Sequence, residues 1–286
     1  LALGFFFMVV LFPGAPIWAG PLLSGGIAFV FTLIAFSAGD SIVLASARAR
    51  HIGKPDAPQL WNVVEEMAIA SGLPMPQVYL IDDPALNAFA TGRKPETASV
   101  AITTGLLERL DRDELQGVMA HEMSHVGNRD ILFATLMAVL VGSIVMISDI
   151  LLRSLFWGGG RRRRSSDGDG KAQLVLVVVG IALAILAPIF AKILQLAVSR
   201  QREYLADATA ARLTRNPRGL ASALTKLTAD TAELAAANRA TAHLFIVNPV
   251  MKARAKAKGM FSTHPPIEDR VERLLGMAGE FAEETD

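Results

Sequence analysis

Residues 17–39 run for 23 positions without a charged side chain, and the stretches 131–148 and 172–191 are equally free of charge. A helix needs about 20 consecutive apolar residues to cross a bilayer, so each of these is long enough to be a membrane span. A shorter apolar run precedes the first of them and breaks at Phe12-Pro13-Gly14-Ala15-Pro16, which reads as the turn of a membrane hairpin. In the third candidate, 131–157, Asp149 and Arg153 stand four apart and can neutralise each other on one helix face. In the fourth, Pro188 lies near the end, where neighbouring groups can satisfy the freed carbonyl. The alternative for the third and fourth is a buried helical hairpin in a soluble core, but core helices seldom stay uncharged for so long. No basic run precedes the first apolar stretch, so a cleaved signal peptide is not the reading it suggests, and Leu1 in place of Met implies a start further upstream.

Composition follows from this patterning. Only 19% of the 286 residues are charged, against roughly 25% in an ordinary soluble domain. The segments 1–47, 131–160 and 172–191 hold three charges between them, Asp40, Asp149 and Arg153, and the remainder has an ordinary soluble composition. Four parts result: an N-terminal membrane hairpin (1–47), a first aqueous part (48–130), a central hydrophobic hairpin (131–191) and a second aqueous part (192–286). Pairs of crossings return both aqueous parts to one side of the membrane, where they can form one domain. Arg48, Arg50 and Lys54 directly follow the second span, as the positive-inside rule expects of a cytoplasmic end. Arg161 to Arg164 and Lys171 lie between spans three and four, which full crossings would place outside, against that rule. Either the first pair sets the orientation or the central hairpin lies against the membrane without crossing. Glycines 158–160 and the stretch 165–170 mark this connection as a flexible loop, and Lys252 to Lys258 reads as a basic surface segment near lipid. A net charge of +1 argues against a nucleic-acid binder, and zero cysteines exclude disulfides, thiolate metal sites and a thiol nucleophile.

The aqueous parts read as mainly α with a small β-sheet. Leu60, Val63, Val64 and Met67 recur at helical spacing from Pro58 to Ser71, and Gly72-Leu73-Pro74 stops that helix. Gln77 to Ile81, Asn87 to Ala90 and Ser99 to Thr103 have strand composition and are separated by turns at 82–84 and 92–95. Another helix opens at Asp111, whose carboxylate can cap it, with Asp113 and Glu114 favouring the positive end of the dipole.

That helix carries His121-Glu122-Met123-Ser124-His125. The i, i+4 spacing sets both imidazoles on one face, near enough to share an ion, and Glu122, about 100° around, can reach a water on it. Two neutral imidazoles and one carboxylate leave a fourth position on Zn²⁺, where water becomes acidic near pH 7 and Glu122 can take its proton as it attacks a peptide carbonyl. The alternative is a pair of surface histidines on an amphipathic helix. A third ligand must come from another element. HExxHxxGxxH is excluded because Asn128 and Ile131 stand where Gly and His would be needed. Glu203 is the best carboxylate candidate; Asp207 follows it at i+4, so one can bind metal while the other accepts the free N–H of a ligating histidine. Taken alone, this stretch also reads as a solvated charged helix just past a span.

These motifs together resemble the membrane-bound zinc metalloproteases of the HtpX type, in peptidase family M48. The resemblance covers nearly the whole chain: the N-terminal hairpin, Asn87-Ala88-Phe89-Ala90-Thr91-Gly92, the HEMSH helix, the central hairpin, Arg202-Glu203-Tyr204-Leu205-Ala206-Asp207, and Ser262-Thr263-His264-Pro265-Pro266 with Arg270. It implies a zincin-like (gluzincin) endopeptidase domain with one Zn²⁺, attached to about four membrane helices of a bacterial cytoplasmic membrane and facing the cytoplasm. It implies polypeptide substrates, damaged or misassembled membrane proteins among them, and quality-control proteases as partners. By position, His121, His125 and Glu203 match the zinc ligands, Glu122 the catalytic base and Asp207 the second carboxylate of the ExxxD motif. Asn87 falls in what resembles the substrate-side strand, where an exposed edge can hold an extended polypeptide by backbone pairing; the alternative is a turn asparagine. His264 is a candidate donor to the developing oxyanion and Arg270 a candidate brace for Glu203 and Asp207, with a purely structural role as the alternative for each. His243, alone in an apolar stretch, reads as a core histidine, and His51 as interfacial.

Three other functions compete. A protease of prenylated C-terminal peptides resembles this metal site but typically has more spans and a large enclosed chamber. An intramembrane site-2 protease is disfavoured because Asp111 to Glu114 and Asn128 to Asp130 keep the HEMSH motif out of hydrocarbon and no Leu-Asp-Gly motif occurs. A catalytically silent membrane scaffold is disfavoured by the intact His121, Glu122, His125 and Glu203.

Overall fold

The structure, a computed structural model, describes residue 16 and residues 18–157, 170–229 and 265–283. It is mainly helical with one four-stranded mixed sheet. In chain order the elements are α1 (Ala19–Ser46), β1 (Arg50–His51), α2 (Pro58–Ser71), β2 (Gln77–Ile81), β3 (Ala88–Thr91), a 3₁₀ turn (Pro95–Thr97), β4 (Ser99–Thr103), α3 (Thr104–Arg109), α4 (Arg112–Gly127), α5 (Asp130–Trp157), α6 (Gly170–Thr214), α7 (Pro217–Ala229) and α8 (Ile267–Glu283). The chain divides into two compact units, 1–37 with 135–195, and 38–134 with 196–286.

In the first unit, Ile147 of α5 and Ala184 of α6 form a small packed cluster with Ile144, Leu183 and Ala187. Along α6 the large apolar side chains of Ile185, Ile189, Phe190, Ile193 and Leu194 are all exposed. A soluble core helix would bury these side chains, so for α6 the buried-hairpin alternative fails. Among the described residues, Ile181–Thr214 is the one helical stretch long and apolar enough to cross a membrane. The first apolar run, the Arg161–Arg164 loop, His243, His264 and Lys252–Lys258 lie outside the described residues, as does the Arg153 side chain that was to neutralise Asp149.

In the second unit the sheet order is β1-β2-β4-β3, with β2 and β4 parallel and the outer pairs antiparallel. Central β4 is buried throughout, as a strand covered on both faces must be. One face packs on the main core, where Val63 and Met67 of α2, Val100 and Ile102 of β4, and Val118 and Met119 of α4 meet. Against the other face lie Val43 and Leu44 from the end of α1 and Ala47 just past it, around Phe89 and Ala101. Helix α2 has the predicted limits and ends at Gly72 with φ +67°, a left-handed cap that glycine adopts without strain. Strand β3 starts one residue later than its composition suggests, because Asn87 instead ties the strand to Thr103 through backbone and hydroxyl bonds. The two-residue β1 was not anticipated; its residues read as part of a basic membrane flank.

Strand β3 lies at the edge of the sheet, but its residues are all buried and Asn87 is 1% exposed. The Asn87 carboxamide oxygen accepts from the Ala88 N–H instead of facing solvent. Along that edge the Ala90 N–H faces Glu122 of α4, and Asp40 of α1 accepts from the Thr91 hydroxyl and the Gly92 N–H.

Candidate metal centre and active site

Helix α4 is fixed at both ends before any chemistry is considered. At its start a capping box forms: Asp111 Oδ1 accepts from Glu114 N at 2.9 Å and Glu114 Oε2 accepts from Asp111 N at 2.9 Å. Buried Glu114 also receives Lys226 Nζ and Ser222 Oγ, both at 2.6 Å, which ties α7 to the start of α4. Farther along, the backbones nearly touch: a Cβ on Gly117 would come 2.6 Å from Leu220 N, and one on Gly219 2.6 Å from Asp113 O. At the far end Arg129 takes φ +55°, a left-handed conformation costly for a non-glycine residue, and this reversal brings Asp130 back beneath His125.

The helix is buried nearly all round, with His121, Glu122 and Ser124 among its buried residues. Polar groups in such a place need partners. His121 Nδ1 lies 3.0 Å from Asp207 Oδ1, and His125 Nδ1 lies 2.8 Å from Asp130 Oδ2. Each Nδ1 faces a carboxylate, so in the neutral rings that a metal ion requires, both Nε2 atoms carry the free lone pair, and they stand 3.1 Å apart. Glu203 of α6 completes the cluster, its Oε1 3.5 Å from His125 Nε2 and its Oε2 3.8 Å from His121 Nε2. One ligand atom from each of His121, His125 and Glu203 falls within 4.8 Å of the others.

Around this triad Arg270 of α8 is fully buried and forks onto Asp207, Nε to Oδ2 at 2.8 Å and a terminal nitrogen to Oδ1 at 2.7 Å. Its other terminal nitrogen lies 3.3 Å from Glu203 Oε2. Arg202 pairs with the second oxygen of Asp130, and its guanidinium lies 4.1 Å from the centre of the Phe133 ring. Burial works against ionisation of Asp207, but Arg270 and His121 outweigh it and hold the carboxyl below the usual range. Burial likewise opposes a charge on His125, yet Asp130, Glu203 and Glu122 carry it up to about 9. Burial pushes Glu122 above the ordinary carboxylate range against the pull of both histidines, with Glu203 adding to the rise.

The donor set fits a small divalent ion. A tetrahedral Zn²⁺ at about 2.0–2.1 Å from its ligands would separate two of them by roughly 3.3–3.4 Å, close to the spacing of the two Nε2 atoms and of Glu203 from His125. Three protein donors also leave the fourth position that a catalytic zinc site keeps open. Of the residues singled out in the sequence, the fold thus brings together His121, Glu122, His125, Glu203, Asp207 and Arg270. Asn87 lies in the same sheet, just before the strand whose Ala90 N–H meets Glu122. Asp130 and Arg202 join the site unannounced by their motifs, since in the sequence 128–130 marks only a polar boundary. A carboxylate five residues after the second histidine, just before an apolar run, is the signal that was available.

Residues 55–278 match the model of peptidase family M48. A protease HtpX homolog of Tropheryma whipplei (strain Twist) is 51% identical over 246 residues, covering 86% of this chain and 81% of the relative. A protease HtpX homolog of Listeria monocytogenes serotype 4a (strain HCC23) is 43% identical over 286 residues, covering 95% and 94%. The crystal structure of S. mikatae Ste24p shares the fold with a TM-score of 0.56 at 20% identity, over 96% of this chain and 62% of that one. The chain belongs to peptidase family M48 and is a membrane metalloprotease, a hydrolase acting on peptides.

Proposed function

We propose that the chain is a multi-pass zinc endopeptidase of a bacterial cytoplasmic membrane, with its catalytic domain on the cytoplasmic side. It cleaves misfolded or damaged membrane proteins in concert with other quality-control proteases. His121, His125 and Glu203 hold the metal and Glu122 is the base. The observation that carries this reading is the convergence of both Nε2 atoms on the Glu203 carboxylate while a separate carboxylate fixes each imidazole from behind.

When bound, a divalent ion at this cluster acidifies water and polarises the scissile carbonyl. Glu122 stands next to the ligand His121 on the same helix and takes the proton of the attacking water as the water oxygen bonds to the carbonyl carbon. It then returns that proton to the amide nitrogen as the C–N bond breaks. A carboxyl raised by burial holds a proton more readily than a surface glutamate, which suits a group that must both accept and return one. Asp207 and Asp130 keep the imidazoles in the tautomer that presents Nε2, and Arg270 keeps Asp207 ionised. His264 as oxyanion donor and Asn87 at the substrate-side strand rest on the family resemblance.

The anchoring part of the proposal is supported by the outward apolar face of α6. Metal analysis of detergent-purified protein tests the site: about one zinc per chain, lost in His125→Ala, supports the reading. A chain that holds no zinc, or a His125→Ala variant that keeps it, contradicts the reading. A topology reporter in the 165–170 loop decides whether the central hairpin crosses.

A further inference from the structure

Asp40 is the sole charge in the first 47 residues. A carboxylate at the end of an apolar helix is costly unless it is paired. It is paired, with partners at and just beyond the end of β3. Asp40 Oδ1 accepts from Thr91 Oγ1 at 3.0 Å and from Gly92 N at 3.2 Å, and Oδ2 lies 3.7 Å from Arg93 Nε. Asp40 and these residues belong to the same compact unit.

The place it grips matters because of what the strand does. Strand β3 is four residues long and has a ladder neighbour, β4, on one side. Asn87 exchanges bonds with Thr103 in the antiparallel register, so the N–H of Ala90, three residues on, points to the outer edge and faces Glu122, on the helix whose Ala120 and Met123 share the core with Ala88 and Ala90. Side chains alternate along the strand: Ala88 and Ala90 pack in the main core, while Phe89 packs with Val43, Leu44 and Ala47. Thr91 falls on the Phe89 face, so α1 holds that face at two points, through apolar contact at 89 and through Asp40 at 91. Beyond it, Gly92 turns at φ +115°, and a Cβ there would lie 2.6 Å from Ala98 Cα, so the turn closes against backbone with no room to shift.

We propose that Asp40 is a positioning residue for peptide cleavage. By accepting from Thr91 and Gly92 it sets the depth of β3, and so the Ala90 N–H that orients Glu122. The end of the N-terminal apolar helix is therefore part of the catalytic machinery as well as an anchor. This rests on Glu122 being the base.

The test uses the full-length protein in detergent or proteoliposomes, with a fluorogenic unfolded polypeptide as substrate. Asp40→Ala should lower kcat about tenfold or more, the scale on which small misplacements act, with KM and zinc content within about twofold of the parent. Asp40→Asn keeps the acceptor oxygen and should retain most of the activity. Thr91→Val, on the aqueous side, should lower kcat similarly even where Asp40→Ala fails to insert, and the double variant should be no worse than either single one. A parent-like kcat in both Asp40→Ala and Thr91→Val, losses that multiply in the double variant, or a loss that tracks zinc content overturns the proposal. Glu122→Gln is run alongside: if it is inactive while Asp40→Ala is parent-like, only the positioning role fails, and if it is active both readings fail.

Discussion

His125 Nδ1 lies 2.8 Å from Asp130 Oδ2, while the Nε2 of the same ring faces that of His121 at 3.1 Å. The ring is held from behind by a residue that sits just past the end of its own helix, beyond the left-handed Arg129. His121 is held likewise by Asp207, which comes from a different helix and is itself clamped by Arg270. The two imidazoles thus reach one point from independently fixed directions.

Asp130→Asn should therefore weaken zinc binding without removing a ligand. Loss of such an outer carboxylate typically costs 10–100-fold in metal affinity. Competition against a chromophoric chelator measures it, and an affinity within about twofold of the parent would show that Asp130 plays no part in orienting His125.

Arg270→Ala should unfold the second unit more readily than any other single change around the site. The substitution leaves Asp207 buried without its charge partner, a situation that costs about 3–5 kcal/mol. Thermal unfolding in detergent should show a fall in midpoint of several degrees, on the order expected from that loss. Arg270→Lys should recover little, because an ammonium cannot form the two-pronged contact with Asp207. An unchanged midpoint for Arg270→Ala would contradict this.

Gly117→Ala tests the close crossing of α4 and α7. The added methyl would lie 2.6 Å from Leu220 N and 2.8 Å from Leu220 Cα, both backbone atoms, so the helices must separate. Overpacking of this kind costs about 1–3 kcal/mol, even though alanine favours a helix more than glycine does. A stabilised variant, measured by the same melt, would mean that the helices are free to move apart.

Much of this was legible in the sequence, for identifiable reasons. The cap at Asp111 and the stop at Gly72 are local signals, and the structure has both where the residues suggest. The i, i+4 spacings of His121 with His125 and of Glu203 with Asp207 are also local, and only the meeting of the two helices had to be inferred. Contacts across long separations were not legible. Asp130 with Arg202, and Asp40 with Thr91, depend on how distant elements pack, and nothing periodic marks them. The burial of β3 depends on such packing too: the family resemblance implies its place at a sheet edge, and its cover comes from α1 and α4.

Chelation should abolish proteolysis, and zinc added back at about one equivalent per chain should restore it. Activity that survives exhaustive chelation would point to a reaction that does not use the cluster of His121, His125 and Glu203.

The central claim is that Glu122 is the base of a metal-dependent peptide hydrolysis, and the turnover of Glu122→Gln at full zinc occupancy tests it most directly. The substitution keeps size and shape and leaves His121, His125 and Glu203 in place, so zinc should stay bound. Cleavage of an unfolded polypeptide should fall by at least the 10²–10⁴-fold that general base catalysis contributes. Turnover equal to the parent's at the same zinc content would contradict the account.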